Sequence, residues 1–423
     1  MKTVDGVHVW GEPVFEDALG QIKECAKGAA GAALMADHHV GYSMPIGGVV
    51  AYWDQISPSG VGFDIGCGNK AVLTDMPAKE ARRKIARIMD DVFEKISFGI
   101  GQKNEERVDH ELFDDPAWKD IAVLHQHRQL AQNQLGTVGS GNHYVDVFID
   151  EQERVWVGVH FGSRGIGHKV ATWAIDMAGG SDGMFVPPVV LHVRSALGED
   201  YLRAMEVAGR YAYAGRDWVC DRVLKIMGAK QLDEVHNNHN FAWKEKHGDQ
   251  ELYVVRKGAT PAFPGQRGFV GGSMGDISVI LEGVDTEQSR AGFFSTVHGA
   301  GRTMSRTRAA GKVRKGKRTG GEVTRDMMNK WVREAGVVLR GAGTDESPHC
   351  YKRLPEVLKH HSDSARVVHT LTPIGVAMAG ENEFDPYRDG GSSPQTAWQR
   401  VWEGLPDTKR PVKCGKFGPF LSG

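Results

Sequence analysis

Apolar residues at helical spacing predict three amphipathic helices. Residues 120–135 form one such stretch, which ends at Gly136, a residue type that commonly stops helices. A second covers 200–227, where Gly209 and Gly215 interrupt the pattern and weaken the prediction. In the clearest stretch, 78–96, charged residues separate apolar ones that recur every three or four positions, namely Ala81, Ile85, Ile88, Met89, Val92 and Ile96.

Short runs rich in β-branched residues predict strands at 145–149, 155–160, 251–255, 277–281 and 367–371. Helices and strands follow one another in mixed order, without the regular alternation of parallel-sheet proteins, and no long internal repeat is visible. We therefore expect one compact α+β catalytic domain over residues 1–380. Residues 381–423 are rich in Gly, Pro and polar side chains, which predicts an irregular C-terminal extension.

Basic and acidic residues are nearly equal in number in the whole chain, but they are unevenly distributed along it. The 423 residues carry a formal net charge of −1, so no global field attracts a polyanion. Residues 288–321, however, contain no acidic side chain. Their second half is crowded with basic ones, namely Arg302, Arg306, Arg308, Lys312, Arg314, Lys315, Lys317 and Arg318. This stretch is the natural place to expect a local polyanion site.

The cysteines and the N-terminus indicate the compartment. Five scattered cysteines without a CxxC pair argue against a disulfide scaffold and favour a reducing environment. The N-terminal residues lack the apolar run of a signal peptide, and no window approaches the length of a membrane span. We expect a soluble cytoplasmic protein without a membrane partner.

Glycine-rich segments surround several side chains that can bind metals. GVGFDIGCG, residues 60–68, contains Asp64 and Cys67, and GTVGSGNH, residues 136–143, ends in an Asn-His pair. His160 ends the predicted strand VWVGVH, and HNNHNF contains His236 and His239. Each segment taken alone is equally consistent with a tight turn and an ordinary buried residue. Together they predict a metal site.

The chemistry of this ligand set narrows the choice of metal. One Asp, one Cys and three His suit Zn, Fe, Co or Mn, and suit Ca poorly. A thiolate can bridge two ions, as a two-metal centre acting on phosphates would require. A structural zinc site is the alternative, and the sequence does not pair ligands with individual metals.

The segment VHGAGRTMSR, residues 297–306, places His298 in a glycine-rich turn with two arginines close behind. Backbone amides in such a turn can approach an anion, and a histidine can attack phosphorus if its other ring nitrogen is oriented by a partner. Asp37, in MADHHVG, is a candidate partner. Arg164 and Lys257 are flanked by glycine and are candidate phosphate clamps, although taken individually such a residue is more often an exposed surface charge.

These segments together resemble the RtcB family of 3′-phosphate RNA ligases. The matching runs occur in family order from about Val9 to Gly380: MADHHVGYSMPIGGV, GVGFDIGCG, GTVGSGNHYVDV, VHFGSRGIGH, HNNHNF, RKGATPAFPG, GGSMG, HGAGRTMSR and DESPHCYK. The resemblance implies layered β-sheets with peripheral helices around a central metal cleft. It also implies that RNA 3′-phosphate or 2′,3′-cyclic phosphate ends are joined to 5′-hydroxyl ends, in tRNA splicing or RNA repair.

The implied route uses GTP and Mn²⁺, with two ions expected. His298, oriented by Asp37, would attack the α-phosphate of GTP, and the guanylate would pass to the RNA 3′-phosphate before the 5′-hydroxyl expels GMP. The implied metal ligands are Asp64, Cys67, His143, His160 and His239, with Cys67 bridging. The implied nucleotide-binding residues are Asn142, Asp146, Ser273, Ala300, Gly301 and Tyr351. The implied phosphate- or RNA-binding residues are Arg164, Lys257, Arg302 and Arg306.

Three positions depart from the family pattern. Asp146 stands where the family usually has a glutamate that contacts guanine, and Phe161 stands where Ser or Thr usually follows the metal-binding histidine. The region PIGVAMAG lacks the family's terminal Lys-Gly, which reaches the guanine. Lys413 and Lys416, in the KCGK run of the extension, are candidate replacements.

Two other functions remain open on the sequence alone. A metal-dependent phosphodiesterase or phosphatase would need the metals but not His298 as a nucleophile. A non-catalytic RNA-binding repair subunit would need only the basic stretch. The sequence also leaves open which RNA is sealed, whether ATP replaces GTP, the oligomeric state, and whether an activating protein is a partner.

Overall fold

Two large, mostly antiparallel sheets lie at the centre of the computed structural model, which describes residues 1–314, 317–383 and 385–389. The strands of this described part are β1 Lys2–Val4, β2 Val7–Val9, β3 Gly31–His39, β4 Ile46–Tyr52, β5 Gln55–Ile56, β6 Gly68–Pro77, β7 Tyr144–Asp150, β8 Arg154–Phe161, β9 Leu191–His192, β10 Gln231–Asn238, β11 Asn240–His247, β12 Gln250–Lys257, β13 Ala259–Pro261, β14 Arg267–Val270, β15 Ser278–Gly283, β16 Ser295–Val297, β17 Gly311–Arg314, β18 Lys317–Gly320, β19 Val338–Ala342 and β20 Ala365–Gly380.

The helices flank these sheets. They are α1 Glu16–Cys25, α2 Pro58–Val61, α3 Ala78–Lys95, α4 Ala117–Asp120, α5 Ala122–Gln134, α6 Arg164–Met177, α7 Ala196–Met227, α8 Glu287–Ala291, α9 Arg306–Ala310, α10 Arg325–Glu334, α11 Leu354–Lys359 and α12 Pro386–Asp389. The predicted mixed α+β class with layered sheets is confirmed.

The six-stranded sheet has the order β1-β2-β3-β4-β12-β11, and the eight-stranded sheet has the order β10-β6-β8-β7-β20-β15-β14, with β19 joined to β20. Side chains on β3 alternate between the two faces of their sheet, as strand geometry requires. Ala33 and Met35 join a core shared with β14 and β15 of the other sheet, whereas Ala32 and Leu34 pack in the core formed with helices α1, α5, α6 and α7. The sheets therefore stack as layers with helices outside.

The predicted helices are confirmed with small changes at their ends. The stretch 78–96 is α3, and 120–135 is α5, which begins at Ala122 because Ile121 is extended and separates it from α4. Helix α7 begins four residues earlier than predicted, because the Ser195 hydroxyl accepts a hydrogen bond from the Gly198 N–H and caps the helix. It ends at Gly228, which is left-handed with φ 69°.

The five predicted strands are present, but the last is longer than predicted. Residues 367–371 belong to the 16-residue strand β20, which continues through Pro373 and Gly375. Such residues normally suggest a break. A register shift between Pro373 and Gly375 accommodates them in the pairing with β7.

The structure describes part of the predicted C-terminal extension. Residues 381–383 and 385–389 of the predicted extension are described, and Lys413 and Lys416 lie outside the described residues. The boundary at residue 380 stays a prediction.

Among the described residues, none of the helices combines the length and apolar character needed to cross a membrane.

Candidate active site

The candidate metal-binding side chains come from four separate segments of the chain and meet at one point. Asp64 and Cys67 lie in the turn between α2 and β6, and His143 directly precedes β7. His160 lies in β8, opposite Tyr144 of β7. His239 is the single residue between β10 and β11, where the chain crosses from one large sheet to the other. The ligand atoms of Cys67, His143 and His160 all lie within 4.8 Å of one another.

The turn that carries Cys67 requires glycine. Gly66 has φ 70°, a left-handed conformation that side chains other than glycine rarely adopt. A Cβ at Gly66 would lie 3.1 Å from the Cα of Gly209 on α7, so the turn also packs closely against this helix. The Cys67 N–H donates to the Asp64 carbonyl at 3.0 Å, which folds both ligands toward the same side.

A second hydrogen-bond partner fixes the tautomer of His160. Asn69 donates its amide N–H to the Phe269 carbonyl, so its oxygen faces His160 and accepts from His160 Nδ1 at 2.6 Å. Nε2 of His160 is thereby left with a free lone pair, as a metal ligand needs. His143 Nδ1 lies 3.1 Å from both the Val138 carbonyl, which only accepts, and the Arg164 guanidinium, which only donates. The two Nε2 atoms each lie 3.7 Å from Cys67 Sγ.

Two further contacts fit a cation between these groups. His143 Nε2 faces Asp64 Oδ2 at 3.2 Å, a separation that is favourable when a proton or a metal cation lies between these two electron-pair donors. The buried Nδ1 of His239 has no hydrogen-bond partner in the part of the chain that the structure describes, which is costly for a polar atom unless it binds something else. His239 stacks on His160 with ring centroids 5.1 Å apart. The donor set and geometry therefore fit a metal centre.

Electrostatics keep these imidazoles in the metal-binding form. Burial, followed by the charge of neighbouring histidines, lowers the pKa of both His160 and His239 well below the ordinary value. Both rings are therefore neutral, which is the form that coordinates transition metals.

His298 lies beside this cluster and is held by Asp37. It follows β16, and its ring centroid is 4.9 Å from that of His239. His298 Nδ1 lies 2.6 Å from Asp37 Oδ2, and because a carboxylate only accepts, the proton in this contact belongs to Nδ1, while Nε2 lies outside it. Burial raises the pKa of Asp37, but the charge and hydrogen bonds of His298 outweigh it and hold this pKa below its usual value.

The turn after His298 approaches Asp37 closely. Gly301 has φ 77°, and a Cβ there would lie 2.2 Å from the Asp37 carbonyl oxygen. Only glycine fits this position, which explains one of the glycines in the HGAG segment. Ala300 and Gly301 thus present backbone at the wall of the cavity next to the nucleophile candidate.

A cavity of about 860 Å³ extends from the cluster. The site residues predicted from sequence that line it are Asp64, Cys67, Asn142, His143, Asp146, His160, His239, Lys257, Ser273, His298, Ala300, Gly301, Arg302, Arg306 and Tyr351. Asp37 lies behind His298 and Arg164 behind His143, whose Nδ1 is 3.1 Å from the Arg164 guanidinium. The structure therefore brings together all the predicted site residues, while their roles stay predictions.

Acidic residues hold two of the arginines in the cavity wall. Arg302 donates to the Tyr351 hydroxyl and to the Asp345 carbonyl, both at 2.8 Å. Arg306 pairs with the carboxylates of Asp345, at 3.0 Å, and Glu346. A bound phosphate would have to take over part of these contacts. Tyr351, predicted to bind the nucleotide, here orients Arg302 with its hydroxyl.

Lys257 and Asp146 are buried ionisable groups without an opposite charge bonded to them. Lys257 Nζ donates to the carbonyls of Tyr42 and Ser59 at 2.6 and 3.3 Å, and burial lowers the pKa of Lys257 to about 8. Among the described residues Asp146 Oδ1 has no hydrogen-bond partner, and burial raises the pKa of Asp146 well above its usual value. A ligand that donates N–H groups to Asp146 would stabilise its charged form.

Sequence reasoning assigned no role to Asn69 or Glu346. Asn69 follows Cys67 by two residues at the start of β6, and strand alternation would have placed both on one face. Glu346 lies within the DESPHCYK run, which was matched as a motif without a role for this carboxylate. Its function became visible only through its contacts with Arg306 and Tyr351.

Comparison with known proteins identifies the family. A family model described as tRNA-splicing ligase RtcB matches residues 21–122 and 117–379. The chain belongs to the RtcB family.

Individual RtcB proteins are similar over most of their length. The RNA-splicing ligase RtcB of Escherichia coli is 31% identical over 407 residues, covering 87% of this chain and 96% of that protein. The tRNA-splicing ligase RtcB of Thermococcus kodakarensis is 31% identical, covering 81% and 86%. The RNA-splicing ligase RtcB of Mycobacterium bovis is 30% identical, covering 81% and 95%. The RtcB match ends at residue 379, one residue before the end of β20.

Proposed function

We propose that this chain is an RNA ligase that joins an RNA 3′-phosphate or 2′,3′-cyclic phosphate end to a 5′-hydroxyl end, using GTP and Mn²⁺, through a guanylate carried on His298. The observation that carries the proposal is the His298–Asp37 pair. Its free Nε2 borders a cavity that also contains the metal-binding cluster and three basic side chains. The names of the relatives, RNA-splicing and tRNA-splicing ligases, support the reaction class.

His298 performs the first step. Its Nε2 lone pair attacks the α-phosphorus of GTP, a P–N bond forms, and the bond to the β-phosphate oxygen breaks to release pyrophosphate. Asp37 holds the proton on Nδ1 and stabilises the positive charge that develops on the ring. Because Asp37 is fully buried and its Oδ2 is anchored by backbone N–H groups, the ring keeps its direction during the step.

The remaining steps move the guanylate. An oxygen of the RNA 3′-phosphate attacks the guanylate phosphorus and frees His298, and the 5′-hydroxyl oxygen of the second RNA then attacks the activated 3′-phosphate, releasing GMP. A 2′,3′-cyclic phosphate must first be opened by water to give a 3′-phosphate. The activation is needed because a phosphate monoester is a poor electrophile until one of its oxygens belongs to a better leaving group.

The residues that would hold the metal centre are Asp64, Cys67, His143, His160 and His239. Bound Mn²⁺ would neutralise phosphate oxygens and orient the reacting groups. Arg302, Arg306 and Lys257 would hold phosphates, with Arg164 behind His143. The residues that would surround the nucleotide are Asn142, Asp146, Ser273, Ala300, Gly301 and Tyr351.

The free cysteines of the described part suit a reducing compartment such as the cytoplasm. They are all buried, namely Cys25, Cys67, Cys220 and Cys350.

An RNA-joining assay tests this function. The purified protein is incubated with Mn²⁺, GTP and two labelled RNAs, one ending in a 3′-phosphate or 2′,3′-cyclic phosphate and one beginning with a 5′-hydroxyl. A matched pair with a 3′-hydroxyl and a 5′-phosphate is the control. We expect a joined product from the first pair only, and only with GTP.

Other outcomes would replace the proposal. Conversion of the 3′-phosphate to a 3′-hydroxyl without joining would indicate a metal-dependent phosphatase. Opening of the cyclic phosphate alone would indicate a phosphodiesterase. Retention of RNA without chemical change would indicate a binding subunit.

A further inference from the structure

A fully buried arginine lies directly behind the metal-binding cluster. Arg216 belongs to α7, the 32-residue helix that packs against β6 and β8, and its relative exposure is 0%. It does not line the cavity. Arg216 belongs to none of the sequence motifs described above. A single arginine in an amphipathic helix is ordinarily an exposed, solvated charge.

The guanidinium of Arg216 makes four hydrogen bonds in four directions. NH1 donates to the Gly66 carbonyl at 2.8 Å and to the Phe161 carbonyl at 2.7 Å. NH2 donates to Asn238 Oδ1 at 2.6 Å, and Nε donates to His236 Nε2 at 2.8 Å.

Three of these acceptors are chain neighbours of metal-ligand candidates. Gly66 precedes Cys67, Phe161 follows His160, and Asn238 precedes His239. The three segments come from different parts of the chain, and each is held to the same planar group. One side chain therefore sets the spacing between three ligands that no single strand could fix.

The charge of Arg216 is buried with its guanidinium Cζ 4.9 Å from the centre of the Tyr213 ring, but without an ion pair in the described part of the chain. Within the described residues no carboxylate forms an ion pair with this guanidinium, unlike the other fully buried arginine, Arg256, which pairs with Glu245 at 2.6 Å. Burying a charge without an ion-pair partner is unfavourable, because the charge loses its hydration. Only a guanidinium, with five donors in a rigid fork, can satisfy these acceptors together, because an ammonium has three donors around one point.

We propose that Arg216 is a positioning residue for the metal centre, which clamps the segments bearing Cys67, His160 and His239 in the arrangement that binds metal. The inference rests on the metal centre of the proposed function and goes beyond it, because Arg216 touches neither the metals nor the substrate. It predicts that the geometry of metal binding depends on the fork shape of this side chain and not only on its charge.

The test compares Co²⁺ binding by the wild type and by Arg216→Lys. Cobalt reports coordination directly through its visible absorption and its thiolate charge-transfer band. Arg216→Lys keeps the positive charge but removes the planar guanidinium with its several N–H donors. We therefore expect Co²⁺ affinity to fall about 10- to 100-fold, the usual range for residues that orient ligands, and the visible spectrum to change. The matched control is Arg256→Lys, an equally buried arginine with four hydrogen bonds, none of them to a neighbour of a ligand.

A second variant keeps the test decisive if Arg216→Lys does not fold. Asn238→Ala removes only the acceptor beside His239, and we expect about tenfold weaker Co²⁺ binding with a changed spectrum. Where both variants fold, the loss of Co²⁺ affinity in the double variant should be smaller than the sum of the two single losses, because both substitutions remove the same contact.

The outcomes separate the inference from the function on which it rests. Unchanged Co²⁺ affinity and spectrum in folded Arg216→Lys or Asn238→Ala would overturn the positioning role alone. An equal loss in Arg256→Lys would also overturn it, because general destabilisation would then explain the effect. Absence of a Co²⁺ spectrum in the wild type would overturn the metal centre itself, and both proposals with it.

Discussion

Asp37 holds His298 through a single carboxylate oxygen. Oδ2 accepts the Nδ1–H of His298 at 2.6 Å, the backbone N–H of His298 at 3.0 Å and the backbone N–H of Gly299 at 3.3 Å. The same atom therefore sets the tautomer of the ring, the position of its backbone and the direction of Nε2. This relationship makes His298 a nucleophile candidate rather than one more histidine near a metal site.

Asp37→Asn should abolish most of the covalent labelling by GTP while the protein stays folded. An asparagine amide can turn its NH₂ toward Nδ1, which favours the tautomer with the proton on Nε2 and blocks attack. We expect the rate of nucleotide capture to fall about 10²- to 10⁴-fold, the range known for the loss of such an orienting carboxylate. Single-turnover labelling measures it.

Asp150→Asn is the control for this variant. Asp150 is also buried, and its carboxylate accepts from Trp156 Nε1 and Arg154, but at the far end of β7 from His143. Its labelling rate should match that of the wild type at equal folded fraction. A comparable loss in both variants would mean that Asp37 acts through stability alone.

Phosphate binding should weaken as the pH rises through about 8. Burial lowers the pKa of Lys257 from 10.5 to about 8, with nearby Cys25 opposing the shift, so the charged form that holds a phosphate is present below that pH and is lost above it. The affinity for a non-hydrolysable GTP analogue, measured by calorimetry across this range, should fall with the deprotonation. Lys257→Arg stays charged and should lack this step. The same step in the variant would assign the titration to another group.

Asp146 should select the base of the nucleotide. A carboxylate can accept both N–H groups on the pairing edge of guanine, which adenine lacks, and Asp146 Oδ1 is buried without a partner. Asp146→Asn replaces one acceptor by a donor and should reduce the preference for GTP over ATP by about tenfold or more. Asp146→Glu should preserve it. Competition of unlabelled ATP against labelled GTP measures the preference, and an unchanged ratio in Asp146→Asn would place the base elsewhere.

Arg306 and Arg308 lie on one short helix but should differ in RNA binding. Arg306 faces the cavity, whereas Arg308 is exposed and pairs with Glu322. Arg306→Ala should weaken the binding of RNA of any sequence and reduce the slope of log affinity against log salt by about 0.7, the value for one phosphate contact on a single strand. Arg308→Ala should leave the slope unchanged. Equal slopes in the two variants would remove Arg306 from the RNA site.

The sequence predicted the α+β class and the segments that meet at the site, because both depend on local patterns. Periodicity identifies α3, and glycine-rich turns mark the segments carrying Cys67 and His298. The length of β20 was missed, because Pro373 and Gly375 read as a break while the register shift that admits them depends on the neighbouring strand.

Partners distant in the chain were harder to predict. The pairing of Asp37 with His298 was inferred as a candidate, but Asn69, Glu346 and Arg216 act through contacts between segments that no local pattern joins. Arg216 is the clearest case, because its four acceptors lie on three separate parts of the chain. Only the packed structure shows that they converge.

The most direct test of the account is covalent capture of the nucleotide. The wild type and His298→Ala are incubated with Mn²⁺ and GTP labelled with radioactive phosphorus at the α position, then separated on a denaturing gel. The account predicts an acid-labile labelled band in the wild type and none in the variant. A band of equal strength in His298→Ala, or no band in the wild type under conditions where it binds Mn²⁺ and GTP, would contradict it.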